Sequence, residues 1–268
     1  PVIRSYFQSI DYGAISFKDV TLKFNISQFP EEISKVCAAG NLTVLVVVQS
    51  APASIKIRDV IRSTWANRSV VASLQNESAK VVFLIGNGDV LSKEQQKEMD
   101  SHRDIISVVT EDNYRNLIFK SALTLHISQV RCPTAFLLKV DEDVVLNIDR
   151  FMSGIEHTFF GESSAIYCKT WKGAKPSRDT KKAWFVSEYQ FRGRTFPEYC
   201  AGPSYVLTSS AVTSLLNSLH NFNLMTVEDV FMTGIVAQGA GVKRISMKSR
   251  FKSNYTVKNY KKSDCPGE

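Results

Sequence analysis

Phe136-Leu137-Leu138-Lys139-Val140-Asp141-Glu142-Asp143 joins a short apolar run to three consecutive acids. An apolar run of this length without polar alternation suits a strand covered on both faces, as in parallel sheets. Residues 135–140 are therefore expected to form such a strand and to open directly into the acids. Ligands of open parallel sheets bind beyond the carboxyl ends of the strands. Three adjacent carboxylates repel one another unless a cation or hydrogen-bond donors face them. Hard carboxylate oxygens suit Mg2+ or Mn2+, and those ions in turn hold diphosphates. A solvated acidic turn leading into a helix capped at Asn147 accounts for the same residues, and both readings stand at this point.

Three more apolar runs precede this one, at 42–48, 81–85 and 105–109, the second closed by Gly86-Asn87-Gly88. Helical patterns separate them. Residues 54–65 read as a helix with Ser54 at its cap, and 92–101 as a helix with Ser92 and Gln95 in capping-box spacing. Tyr114, Leu117, Ile118, Ala122 and Leu125 make an apolar stripe that predicts a helix over 114–130. Strands alternating with helices imply βαβ units and a largely parallel sheet. After Phe160 the pattern turns to shorter strand-like pieces rich in Gly, Pro and aromatic residues. Residues 1–40 show no clean period and are read as a stem or lead-in that packs on a main domain at 41–268.

The chain has 268 residues, 44% hydrophobic and 22% charged, which is ordinary for a globular protein able to bury its own core. No apolar run approaches the ~18 residues that a membrane span needs. The sequence starts at Pro1 rather than Met, so it is expected to be a fragment whose signal or anchor lies upstream. The net charge of +7 suits an anionic partner or simply solubility. Basic residues are dense only over 243–261: Lys243, Arg244, Lys248, Arg250, Lys252, Lys258 and Lys261. No aromatic ladder or zinc-finger spacing accompanies them, which argues against a nucleic-acid partner.

Five cysteines, Cys37, Cys132, Cys168, Cys200 and Cys265, form no CxxC pair, so a zinc site is not expected. Glycosylation sequons start at Asn25, Asn41, Asn67, Asn76 and Asn254. Together with scattered cysteines they point to the secretory pathway. Cys132 and Cys200 flank the strands of the expected site and are taken as a disulfide pair, and the odd count leaves one cysteine over.

A second acidic pair, Glu228-Asp229-Val230, precedes a small-residue and apolar helix at 231–237. Acids there suit the helix dipole, and a carboxylate there could equally take a proton from an acceptor hydroxyl. Between the two acidic sites lie Trp184-Phe185-Val186-Ser187 and Phe196-Pro197-Glu198-Tyr199-Cys200-Ala201-Gly202, followed by Tyr205-Val206-Leu207. Such aromatics make either a wall for a sugar face or core around a turn.

These strings resemble, in order, those of the beta-1,3-galactosyltransferase family, which also holds beta-1,3-N-acetylglucosaminyltransferases. The matching pieces are Arg58-Asp59-Val60-Ile61-Arg62-Ser63-Thr64-Trp65, Val82-Phe83-Leu84-Ile85-Gly86, Asp112-Asn113-Tyr114-Arg115-Asn116-Leu117, the acidic triplet, the Tyr199–Gly202 turn and Glu228-Asp229-Val230. The resemblance covers about residues 42–240. It implies a GT-A type α/β fold: a central, mostly parallel sheet flanked by helices, with a Rossmann-like nucleotide half and an acceptor half. It also implies an inverting, Mn2+-dependent transfer from a UDP-sugar to a glycan on glycoprotein or glycolipid. In that scheme Asp143 binds the metal, Asp229 is the general base, and Arg58, Arg62, Trp65, Lys139, Asp141 and Glu142 serve the nucleotide. Trp184, Tyr199, Gly202 and Glu228 line the sugars. Members are usually Golgi lumenal enzymes with a single N-terminal anchor.

Three departures stand out. The triplet is usually Asp-Asp-Asp, with a variable middle, and here the middle is Glu142. No cysteine follows the second acidic pair at 235–237, so one family disulfide is expected to be absent. Relatives often place a late histidine near the metal, whereas His102, His126, His157 and His220 all precede Glu228. The third protein ligand is thereby unassigned, and a non-catalytic relative that binds UDP or glycan is the competing reading.

Overall fold

The computed structural model describes residues 16–17, 26–86, 91–158 and 162–251, with the backbone alone at 156–158. Asn87, Gly88, Lys252, Lys258, Lys261, Cys265 and the sequons at Asn25 and Asn254 lie outside the described residues, as does most of the stem. Eight strands form one sheet: β1 (Ile26–Gln28), β2 (Val44–Gln49), β3 (Ala79–Gly86), β4 (Ile105–Val108), β5 (Phe136–Asp141), β6 (Ala165–Trp171), β7 (Tyr199–Thr208) and β8 (Lys243–Ser246). Their order is β1-β4-β3-β2-β5-β7-β6-β8. Four adjacent strands, β4-β3-β2-β5, are parallel. Antiparallel β7 separates them from the parallel pair β6-β8, and antiparallel β1 closes the far edge. The expected mostly parallel α/β sheet flanked by helices is what the structure shows.

All six residues of β2 are buried, because the strand sits mid-sheet with helices on both sides. Alternation sends Leu45, Val47, Val82, Leu84 and Leu137 into one core and Val44, Val46, Val81, Phe83, Leu138 and Val140 into the other. The first core is covered by α1 (Glu31–Ala38), the helix Leu117–His126, the helix Ser209–Ser218 and the segment Val230–Val236. The second is covered by helices Ile55–Ser63, Lys93–His102 and Ile148–Thr158. The capping box of Ser92 and Gln95 forms as its spacing predicts. Asn147 accepts the Arg150 amide at 2.9 Å and so caps the helix after the acids. No helix among the described residues is long and apolar enough to cross a membrane.

Two elements differ from their sequence pattern. The stripe over 114–130 is a 3-10 turn (Tyr114–Asn116), an α-helix (Leu117–His126) and a π-helical end (Ile127–Arg131), not one continuous helix. The segment Val230–Val236 is π-helical: Thr233 Oγ1 donates to the Asp229 carbonyl at 2.5 Å and accepts the Cys200 amide at 2.9 Å. A threonine hydroxyl thus ties the wide turn to β7.

The expected pairing of Cys132 with Cys200 is incorrect. The bridges are Cys37–Cys132 and Cys168–Cys200. β7 runs antiparallel to β5, with Phe136 opposite Thr208 and Val140 opposite Ser204. Cys132 therefore lies before the start of β5, while Cys200 lies past its end, at least a strand length or roughly 20 Å away. The bridges close segments of very different span, with sequence separations of 95 and 32. On loop-closure grounds, replacing Cys37 and Cys132 by serine should destabilise the chain by about 1 kcal/mol more than replacing Cys168 and Cys200. Urea unfolding of the two double variants checks this, and a larger loss in the second would refute it.

Candidate active site

The acids emerge where β5 ends, mid-sheet between β2 and β7. Strand alternation splits them. Lys139 and Asp141 face the layer that holds Tyr205 and the Val230–Val236 segment, whereas Glu142 turns toward the loop after β2. Asp143 is exposed on the turn beyond.

Lys139 is the pivot of the first group, with only 2% of its surface exposed. Its ammonium donates to Asp141 Oδ1 at 2.6 Å and to the Gly202 carbonyl at 2.8 Å. It stands 3.9 Å from Glu228 Oε2 and 5.4 Å from the centre of the Tyr205 ring. Burial alone would lower the Lys139 pKa, but Asp141 and Glu228 outweigh it and hold it above the ordinary lysine value. Burial raises Asp141, against the pull of Lys139.

Glu228 is buried and accepts the Tyr205 hydroxyl at 2.8 Å. Asp229 accepts two amides, from Gly202 at 3.1 Å and Val230 at 2.8 Å. Burial first, and then the neighbouring Glu228 charge, push Asp229 up to about 7, despite those amides and Lys139. A side chain at Gly202 would press on this carboxylate: a Cβ there would sit 3.1 Å from Asp229 Oδ2. Gly202 therefore joins the two acidic motifs, its carbonyl on Lys139 and its amide on Asp229. Tyr199 lies three residues earlier on β7, edge-on to Phe196 and paired across the strands with exposed Trp171. Trp184 is also exposed, beside Phe185, whose carbonyl accepts the Thr226 hydroxyl at 2.9 Å.

Arg58 has no exposed surface, and its guanidinium is engaged wholly by the chain. It donates to Glu98 at 2.9 and 2.6 Å, to the Ser50 hydroxyl at 2.8 Å, and to the Ala51 and Pro52 carbonyls at 2.6 and 3.1 Å. Arg62 joins Glu98 at 2.8 Å and Asp104 at 2.8 Å and lies 4.8 Å from the centre of the Phe83 ring. Trp65 is packed in the second core. These residues build the floor behind the loop at 50–54 and are not gathered with Asp229.

Two features were not singled out from sequence. Lys120, buried in the helix Leu117–His126, donates to the Ser50 carbonyl at 2.9 Å and to Asp112 at 2.8 Å, and Asp112 also accepts the Gly86 amide at 3.3 Å. This cross-tie fixes the carboxyl ends of β2 and β3. A lysine within an apolar helix was the available signal. Tyr114 reads as part of an apolar stripe and is 39% exposed, yet the shielding of its hydroxyl and then the charges of Asp229 and Glu228 push that group up to about 12. Its position in a polar string just past a strand end was the clue.

No three His, Cys, Asp or Glu side chains are gathered to hold a metal among the described residues. The donors present, exposed Asp143 beside Asp141, fit a hard divalent ion that takes one or two carboxylates and completes its shell from water and phosphate oxygens.

A lactosylceramide 1,3-N-acetyl-beta-D-glucosaminyltransferase of Rattus norvegicus is 29% identical over 216 residues, covering 77% of this chain and 56% of the relative. The beta-1,3-galactosyltransferase bre-2 of Caenorhabditis elegans is 28% identical over 249 residues, 88% of this chain and 67% of the relative. Beta-1,3-galactosyltransferase 9 of Homo sapiens is 27% identical over 249 residues, 87% and 65%. The chain thus spans a little over half the length of the first of these. Among solved structures, S. aureus TarS 1–349 overlaps 77% of this chain and 59% of that chain at 14% identity with a TM-score of 0.43, a likeness too loose to carry a statement. Residues 56–248 match the galactosyltransferase family profile, a span that contains both acidic motifs and the Gly202 bridge, and the chain belongs to that family.

Proposed function

We propose that this chain transfers a hexose, galactose or an N-acetylhexosamine, from a UDP-sugar to a glycan hydroxyl on a glycoprotein or glycolipid, with inversion to a beta-1,3 linkage. The observation that carries the proposal is the junction at Gly202, which sets a carboxylate poised near neutrality beside the acids that end a mid-sheet strand. Two bridges buried in the core suit the oxidising secretory route, and a Golgi lumenal placement belongs to the same proposal.

Asp229 takes the proton of the acceptor hydroxyl while that oxygen bonds to the anomeric carbon. The bond from that carbon to the phosphate breaks on the opposite face, and UDP departs with the electron pair. A base with pKa near 7 suits this task, since a substantial share of it is ionised near neutral pH while it stays basic enough to draw a proton. The Lys139 ammonium keeps the surrounding acids from repelling the anionic donor. Mn2+ held by Asp143 and the diphosphate oxygens would neutralise charge on the departing UDP. Tyr199 and Trp184 offer ring faces to the sugars, and Gly202 leaves the room they need.

Asp229→Asn should lower transfer by roughly 10²- to 10⁴-fold and leave UDP affinity nearly unchanged. Radiolabelled transfer and calorimetry with UDP and Mn2+ measure the two quantities. Ordinary turnover by the variant would remove Asp229 from the mechanism. UDP binding by the wild type with no transfer from any donor would favour a non-catalytic relative.

The same group makes stability depend on pH. Asp229 has its ordinary value of 3.8 when unfolded and about 7 when folded, so its burial destabilises only the ionised form. The penalty is absent below the unfolded value, grows as pH rises, and is complete above about 7. The Tm of Asp229→Asn relative to wild type should therefore rise from about pH 5 to about pH 8, whatever fixed loss the amide brings. A pH-independent difference would show that the buried carboxylate is not perturbed in this way.

A further inference from the structure

Glu142, the middle acid of the triplet, behaves differently from its neighbours. Its Oε2 accepts the Ser50 hydroxyl at 2.6 Å and the Ala51 amide at 3.1 Å. Its Oε1 accepts the Ser54 hydroxyl at 2.8 Å. All three donors come from the loop at 50–54, which leaves β2 beside the acids. From this geometry we propose that Glu142 is a positioning residue, which clasps the 50–54 loop to the end of β5 and so shapes the donor-nucleotide wall without itself touching the nucleotide. The donor part of this inference rests on the transferase function proposed above.

Three observations support the clasp. First, Ser50 is a relay: its hydroxyl donates to Glu142 while accepting Arg58 Nη1 at 2.8 Å. The same guanidinium holds the Ala51 and Pro52 carbonyls and the Glu98 carboxylate. The loop is therefore gripped from two sides, by an anion in front and a buried cation behind. Second, Ser54 stands at the N-cap of the helix Ile55–Ser63, yet its side chain makes no capping bond. A serine cap contributes about 1 kcal/mol to a helix. Here that hydroxyl is turned to Glu142 instead, so the tie takes precedence over the cap. Third, reach matters. A carboxylate one methylene shorter cannot span from the β5 end to Ser50, Ala51 and Ser54 together. The glutamate suits this particular loop.

A direct nucleotide contact and a clasp give different results in a double-mutant cycle. Glu142→Ala and the double variant Ser50→Ala/Ser54→Ala should each raise the Kd for UDP with Mn2+ and the donor KM by roughly tenfold, as expected for lost charge-assisted hydrogen bonds. The acceptor KM should not move. Combining all three substitutions should add almost nothing, since both variants break one device. Glu142→Gln keeps one acceptor oxygen and should retain most of the affinity, whereas Glu142→Asp should resemble the alanine variant. Near-normal UDP binding by Ser50→Ala/Ser54→Ala, with losses that add when Glu142 is also removed, would overturn the proposal and place Glu142 on the ligand. Hydrogen exchange decides the clasp without any ligand. The amides of 50–56 should exchange faster in Glu142→Ala than in wild type, and unchanged exchange there would overturn the clasp itself. A wild type that binds no UDP would sink the transferase function, and with it the donor role, while the exchange result still decides the clasp.

Discussion

A single buried ammonium holds the centre of this molecule together. Lys139 lies on β5, mid-sheet, where a lone cation would be strongly disfavoured. It is stable only because Asp141, Glu228 and the Gly202 carbonyl surround it. Those partners come from three separate stretches of chain: the end of β5, the start of β7 and the approach to Val230–Val236. The charge requirement of one side chain thereby forces both acidic motifs to the same end of the sheet. Removing Asp141 or Glu228 would strip the buried ammonium of one of its two counter-charges, the costly direction for a buried ion pair.

The period of a β-strand explains why the two halves of the site have different characters. Successive side chains leave a strand on opposite faces. Lys139 and Asp141 therefore join the Tyr205 and Asp229 layer, while Glu142 joins the loop backed by Arg58 and Glu98. One layer carries unbalanced acids with raised pKa values and a carboxylate near neutrality. The other is a closed ion network in which Arg58 spends every donor on the chain. Shifted acids gather in the first and rigidity in the second, and the short run from Lys139 to Glu142 serves both.

Much of this was readable from residues alone. The runs at 42–48, 81–85 and 135–140 were recognisable because buried parallel strands need continuous apolar character. Ser92 and Gln95 announced their helix through local chemistry. The acidic motifs were legible as strings, and family resemblance placed them in one site. The disulfides were not, because pairing depends on the antiparallel return of β7, which no local pattern encodes. Ser54 has the sequence position of a cap, and nothing in its vicinity shows that Glu142, far along the chain, competes for its hydroxyl. Tyr114 fits the apolar stripe because an aromatic ring counts as apolar in a periodicity, whatever its hydroxyl faces.

The adjacent pair Glu228-Asp229 shows how one turn can hold two acids for different purposes. Glu228 is anchored by a hydroxyl from Tyr205 and lies near Lys139, so its charge is matched by partners within the core. Asp229 accepts backbone amides from Gly202 and Val230, feels Lys139 only through space, and stands next to that fixed negative charge. Burial raises the second acid, and the charge of the first raises it further. The π-helical turn that follows, tied to β7 by Thr233, keeps Asp229 aimed at Gly202. A regular helix would draw this turn tighter and shift that carboxylate relative to β7. The distortion, the neighbouring charge and the glycine that makes room are three parts of one arrangement, and each has its function only because Lys139 has already brought the two motifs together.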